Sequence, residues 1–361
     1  MLEVLTTPNY RILCIGETWH GSDARAAFAA FRRLGSSIHV IDENNYVPTR
    51  WKTTSGRIIR KVFKPLFVKE LMSDSLRLIK GFQPDLLFVF KGMWVHPDLI
   101  SYCRKQNLPV LNYYPDVSFL AHGRNIPKAL PLYSHIFNTK SYGVDDMKTQ
   151  LGVTNVTFLE PGFDPELHQP VELTNEEHSL YGCDLSFIGT WSPKKETILA
   201  HLAEALPALR MRVWGCQWEK SRSHNLSNFI MGDEITGDMY TKAICASSVC
   251  LGLLSEARKG SSSGDLITAR TFQIPACGTF MLHERNSEVL RYFVEGEDAA
   301  FFSTPNELVE KVRYYLERND ERESIATNGR NRSLRDDYAI DGRMKVVLHW
   351  LGEYLKRSNG N

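Results

Sequence analysis

Arg270 and Gln273 stand three residues apart in ARTFQIPACG, a spacing that puts both on one face of a helix. Ahead of them, Ser262, Ser263 and Gly264 of SSSGD offer hydroxyls and unhindered backbone N–H groups near a helix start. The first N–H groups of a helix are unpaired and partially positive, so they hold anions. A guanidinium beside such a loop is the equipment of a diphosphate grip. A second stretch of this kind follows CDLSFI, where Gly189-Thr190-Trp191 leads into Ser192-Pro193. Ser suits an N-cap and Pro the first helical position. Lys194 and Lys195 then fall in the first turn, where cations oppose the helix dipole. A nearby anion would give that placement a reason; lysines pointing to water are an equally good account. Trp214-Gly215 ends the strand-like RVWG, and Trp214 with Trp218 either frames an aromatic base or packs internally.

A third set lies in the first half. Glu17, Trp19, His20 and Asp23 follow RILCIG; Lys91 and Trp94 follow LLFVF; Tyr113, Tyr114, Asp116 and His122 follow PVLN. Carboxylates, imidazole and aromatics together suit a polyhydroxylated acceptor, with a general base among Glu17, His20 and Asp116 if one is needed. The plainer readings are a solvated or capping His20 and an Asx turn at Asp116 after Pro115.

These residues come just after short apolar runs that alternate with helical stretches. That rhythm predicts parallel sheets with helices on both faces, and such sheets bind ligands beyond the carboxyl ends of their strands. The first half therefore reads as a Rossmann-like α/β domain, although no GxGxxG follows RILCIG. EPGFDPELHQPVELT, rich in Pro and polar residues, is the expected boundary, after which the strand rhythm restarts. The expected division is 1–165 and 166–337. At 361 residues the chain is long enough for two cores. A net charge of +1 provides no field for nucleic acid, and seven scattered cysteines fit reduced, packed thiols in the cytosol. The N-terminal stretch lacks the charged and apolar regions of an export signal.

RIIRKVFKPLFVKELM, residues 57–72, interleaves cations with Ile, Val, Phe and Leu. One reading is a helix lying on the inner face of a membrane, a weak peripheral contact. The favoured one is a two-part helix, interrupted at Pro65, packed on the sheet with a solvated basic face.

FDPELHQP, DLSFIGTWSPKKETIL, VWGCQW, ARTFQIPACGTFMLHERNSEVLRYFVEGEDAAFF and NELVEKVRYYLERNDERESIATNGRNR together resemble the CgeB-like (spore-maturation) glycosyltransferases of the GT-B superfamily. The similarity is densest from Phe137 to Arg343. It implies two Rossmann-like domains facing a central cleft, with a nucleotide-sugar donor held mostly by the second. It also implies a final helix, 338–361, that rejoins the first. The donor set it implies is Gly189, Thr190, Lys194, Lys195, Trp214, Gly215, Ser262, Ser263, Gly264, Arg270, Thr271 and Gln273, with Arg270 on the diphosphate. The acceptor set would be Glu17, Trp19, His20, Asp23, Lys91, Tyr113 and Asp116. No metal and no cofactor are expected, because cations and helix N-termini stabilise the leaving group. Gln273 stands where the wider retaining branch has a Glu, and Asp265 where it has another. The expectation is a cytosolic sugar transferase acting on a hydroxyl-bearing acceptor, as a monomer or homodimer. A nucleotide-sugar epimerase or hydrolase, or a non-catalytic nucleotide-sugar-binding scaffold, is the alternative.

Overall fold

The computed structural model describes residues 9–47, 54–232 and 234–359. They form two units: the first takes the chain up to Glu160, the segment Ala257–Ser263 and the chain from Asp341 onward, and the second takes Pro161–Glu256 and Gly264–Ile340. Residues 1–8, in the stretch read for an export signal, lie outside the described residues.

The first unit runs β1 (Arg11–Gly16), α1 (Asp23–Arg33), β2 (Ser37–Asp42), α2 (Thr54–Phe82), β3 (Leu86–Phe90), α3 (Pro97–Lys105), β4 (Val110–Tyr114), α4 (Asn125–Ala129), β5 (His135–Asn138), α5 (Ser141–Leu151) and β6 (Val156–Phe158). The strands make one parallel sheet in the order β2-β1-β3-β4-β5-β6. A strand covered on both faces has no polar side to show, so RILCIG and LLFVF are nearly continuous apolar runs. Ile12–Ile15 and Leu86–Val89 are fully buried. The winding reverses between β1 and β3, which opens the crevice where such sheets take ligands.

The helix expected to break at Pro65 does not. α2 continues through it, because the hydrogen bond that a proline removes lies on an exposed side where water can take the freed carbonyl. Its expected packing is corrected too. Only the second half packs on the sheet, through Val68, Leu71, Ser75 and Ile79, while Ile58, Val62 and Leu66 of the first half are exposed.

The second unit runs α6 (Asn175–Tyr181), β7 (Cys183–Ile188), α7 (Pro193–Ala205), β8 (Met211–Trp214), α8 (Asp238–Cys245), β9 (Ser247–Gly252), α9 (Ala269–Ala276), β10 (Met281–Glu284), β11 (Ala300–Phe302), α10 (Pro305–Glu317) and α11 (Asn319–Arg335). Its five strands are parallel in the order β11-β10-β9-β7-β8, so the winding reverses between β7 and β9. Between β10 and β11 lies a single turn of 3₁₀ helix at Val289–Arg291. α6 was not anticipated, although Thr174 and Glu177 make a complete capping box at its start.

α12 (Ile340–Asn359) ends the described chain. From Asp341 it belongs to the first unit, where Arg33 grips Asp341 with two hydrogen bonds of 2.8 and 2.7 Å and Arg343 meets Glu160 at 3.1 Å. Among the described residues no helix is long and apolar enough to cross a membrane.

Candidate functional site

In the second unit the chain leaves β7 through Gly189, whose N–H extends the ladder to Trp214 O at 2.9 Å. A side chain at Gly215 would put its Cβ 2.2 Å from Gly189 O, and Gly215 has a φ of +135°, so two backbones approach where only glycine fits. Trp218 caps the same carbonyl with its indole N–H at 2.9 Å. Gly189 itself leaves room for Arg270: a Cβ there would lie 2.9 Å from Nη1. The guanidinium stacks over Phe187 at 5.4 Å and donates from Nη2 to Leu253 O at 3.0 Å. Arg270 thus spans the ends of β7 and β9, at the point where the winding reverses.

Two lysines of the first turn of α7 join it, in different states. Lys195 is buried, with Nζ donating to Thr190 O at 3.1 Å and Ser255 Oγ at 3.0 Å. Burial, and then the Arg270 charge, push its pKa down to about 8. Lys194 is paired: its ammonium meets the Glu284 carboxylate at 2.5 Å, and its N–H donates to Glu256 Oε1 at 2.8 Å. Reciprocal bonds between Asp265 and Ser255 pin the exit from β9, the N–H of Asp265 donating to Ser255 O at 2.8 Å.

Behind the cations stands a buttress that the sequence reading missed. His283 is fully buried on β10, and burial pushes its pKa down to about 4, so it is neutral. Its Nδ1 lies 2.7 Å from Glu284 O, a carbonyl that can only accept, so Nδ1 carries the proton. Nε2 therefore accepts from the Thr271 hydroxyl at 3.0 Å, and Thr271 Oγ1 accepts from the Thr268 N–H at 3.0 Å. Gly252 of β9 packs so closely that a Cβ there would fall 2.1 Å from His283 Cδ2. α9, β9 and β10 are locked together under Arg270.

Several of the expected donor residues have partners within the protein. Thr271 is fully buried and serves His283. Gln273 is buried, and its Oε1 accepts from the Tyr240 hydroxyl at 2.7 Å. Trp214 is buried against Tyr181. Ser262 and Ser263 belong to the first unit, where the Ser262 N–H donates to Asp146 at 2.9 Å, and only Gly264 returns to the second.

In the first unit the strand ends bring Lys91, Asp116 and His122 together: Asp116 Oδ2 lies 2.9 Å from Lys91 Nζ and 3.1 Å from His122 Nε2. Lys91 has a left-handed φ of 62°, and Asn112 Nδ2 holds its carbonyl at 3.2 Å. Burial lowers the pKa of His122, favouring the neutral ring. Its Nε2 faces a carboxylate and carries the proton, which leaves Nδ1 as the basic nitrogen. Glu17 accepts from the Trp19 indole at 3.2 Å, exposed His20 pairs through Nδ1 with Arg25, and Asp23 opens α1 behind the N-cap Ser22. Tyr113 is buried, stacked on Phe90, and its hydroxyl donates to Glu160 O at 3.0 Å. Glu43 was missed because DENNY reads as a polar turn. It is buried at the end of β2, accepts from the Trp94 N–H at 3.3 Å, and burial pushes its pKa up to about 8 with help from Glu17. Among the described residues no group of three or more His, Cys, Asp or Glu is placed to hold a metal ion.

Residues 194–349 match the model of a family described as glycosyl transferase-like. No curated protein matches the sequence. Among solved structures, a sucrose-phosphate synthase from Thermosynechococcus elongatus superposes with a TM-score of 0.64 at 12% identity, covering 96% of this chain and 100% of that one. Anabaena HepE in complex with UDP-glucose gives 0.62 at 12% identity, over 97% and 100%. A putative UDP-N-acetylglucosamine 2-epimerase from Listeria monocytogenes gives 0.56 at 8% identity, over 97% of each chain. At such identities the likeness concerns the fold, which is that of the GT-B glycosyltransferases.

Proposed function

We propose that this chain, which has the GT-B fold and whose residues 194–349 match a glycosyl transferase-like family, moves a sugar from a nucleoside-diphosphate donor to a hydroxyl-bearing acceptor, as a CgeB-like member of that superfamily. The acceptor would be a glycan, a lipid-linked saccharide or a small molecule. The observation that carries the reading is the meeting of Arg270, Lys195 and the head of α7 at Gly189. When the bond from the sugar's anomeric carbon to the diphosphate breaks, the electron pair goes to a phosphate oxygen. Preorganised cations are worth most against such developing charge. Arg270 would contact the diphosphate, Lys195 would add charge from beneath it, and Lys194, tied to Glu284, would fix the loop. Anabaena HepE holds UDP-glucose on the same fold, which supports a UDP-sugar as the first donor to try.

Acceptor chemistry is assigned to the strand ends of the first unit. Asp116 and His122 are the candidate base, with Lys91 paired to Asp116. If side chains rather than a metal meet the diphosphate charge, a chelator leaves the initial rate within about twofold, a small fraction of the several kcal/mol that a metal ion supplies. A thermal-shift screen against nucleoside diphosphates and their sugars identifies the donor, since a ligand bound only by the native state raises the melting temperature.

The second reading, a nucleotide-sugar epimerase or hydrolase, is supported by the Listeria superposition. Labelled UDP-glucose and UDP-N-acetylglucosamine incubated without acceptor separate the two. Epimer or free sugar formed at full turnover overturns transfer. Donor binding without transfer to any acceptor in a glycan, lipid and protein panel would leave a non-catalytic sensor.

A further inference from the structure

The first half of α2 turns its apolar residues outward. Ile58, Val62 and Leu66 are 59%, 64% and 59% exposed, and Ile59 and Phe63 are exposed beside them. Positions 58, 59, 62, 63 and 66 follow the helical repeat, so they make one continuous stripe. Single exposed apolar residues are ordinary on a protein surface, but a contiguous stripe marks an interaction face. The second half anchors the helix through Val68, Leu71 and Ile79 in the core. Val68 also packs with Val47 and Trp94.

Charge selects the occupant. Residues 54–69 contain Arg57, Arg60, Lys61, Lys64 and Lys69 and no carboxylate. By the helical repeat, Arg60 and Lys61 fall on opposite flanks of the apolar stripe, and Lys61 and Lys69 are exposed. Lys64 lies over the Trp94 ring at 4.9 Å. A second copy of this helix would bring like charges face to face across a twofold axis. A neutral apolar groove would leave the cations unanswered. An anionic bilayer answers both features: the apolar face enters the headgroup–acyl boundary and the cations meet phosphate. We propose that the first half of α2 docks this protein onto an anionic phospholipid surface through Ile58, Val62, Phe63 and Leu66, with Lys61 and Lys69 at the headgroups. The inference stands on unit 1 alone and does not depend on the assignment of sugar transfer.

Sedimentation of the full chain with vesicles tests it, comparing phosphatidylcholine alone with a mixture containing phosphatidylglycerol. Binding is expected only to the anionic vesicles, weakening as salt rises. Lys61→Gln and Lys69→Gln should each weaken it about fivefold, and Val62→Asp with Leu66→Asp should abolish it. All four positions are exposed, so the melting temperature should stay within a few degrees of the parent's; if the aspartate pair misfolds, the lysine variants carry the test. Failure to bind anionic vesicles, or binding indifferent to these substitutions, overturns the proposal. So does a dimer in sedimentation equilibrium that the aspartate pair converts to monomer, which would assign the face to a second copy.

Discussion

Arg270 has its geometry fixed from three sides: Phe187 beneath it, Leu253 O at the end of β9, and the space left by Gly189. Arg270→Ala should lower kcat on the donor by roughly two to three orders of magnitude, the usual loss when one donor to a developing oxyanion is removed. Arg270→Lys should recover only part of it, because a point charge lacks the planar fork. Steady-state kinetics read both; normal turnover by Arg270→Ala would remove the basis of the site. Lys195 makes a second forecast. Its pKa is depressed from 10.5 to about 8, so it is charged below that pH and loses its proton above it. The donor's kcat/KM should therefore fall above pH 8, and Lys195→Met should flatten that limb. The place of Arg270 and the lysines at strand and helix ends was legible in the sequence, since spacing alone puts them there. What they touch was not. Helical period places Gln273 three residues from Arg270 in α9, but it does not reveal that Tyr240 of α8 holds Gln273, as His283 holds Thr271. Partners remote in sequence decide such cases.

The buttress of α9, β9 and β10 is a neutral histidine network, and acid should weaken it. The folded pKa of His283 is lowered from 6.5 to about 4, so the unfolded chain takes up a proton that the folded one refuses between those values. Stability from this group is complete above pH 6.5 and lost as pH falls toward 4, by roughly 3 kcal/mol. Buried Glu43 acts in the opposite sense: its pKa is raised to about 8, so its burial costs more as pH climbs from 4.5. Melting temperatures between pH 7 and 4.5, compared with those of His283→Phe, isolate the histidine. That variant should be less stable at pH 7 and show a shallower acid slope. An unchanged slope would mean that His283 is not the group. At this scale the sheets were readable, because doubly covered strands are apolar throughout. The path of α2 was not: Pro65 looked like a break, and only the fold reveals that its first half has no sheet to lie on.

The two units are not consecutive lengths of chain. Pro161–Ile340 is inserted, apart from Ala257–Ser263, between β6 and α12, both of which belong to the first unit. α12 contributes Asp341 to Arg33, Arg343 to Glu160 and Trp350 to the ring of His135 at 5.3 Å. Ending the chain after Ile340 should therefore speed amide exchange in α1 and β5 while leaving α7 and α9 protected. Equal loss of protection in both units would contradict this division. The linker was visible as a run of Pro and polar residues. The loop excursion was not, because SEARKGSSSGD carries no periodicity to say which unit it serves. The insertion also sets an order of events during synthesis. Domains usually fold as they emerge, the N-terminal one first, at ~5–20 residues per second. Here the unit that starts first, with β1 to β6 already made, is completed only when the other has been translated and α12 follows. The later-made unit is the one that can close first. For roughly ten to forty seconds at those rates, the earlier strands depend on being kept apart from other chains, so chaperone demand should concentrate on residues 9–160.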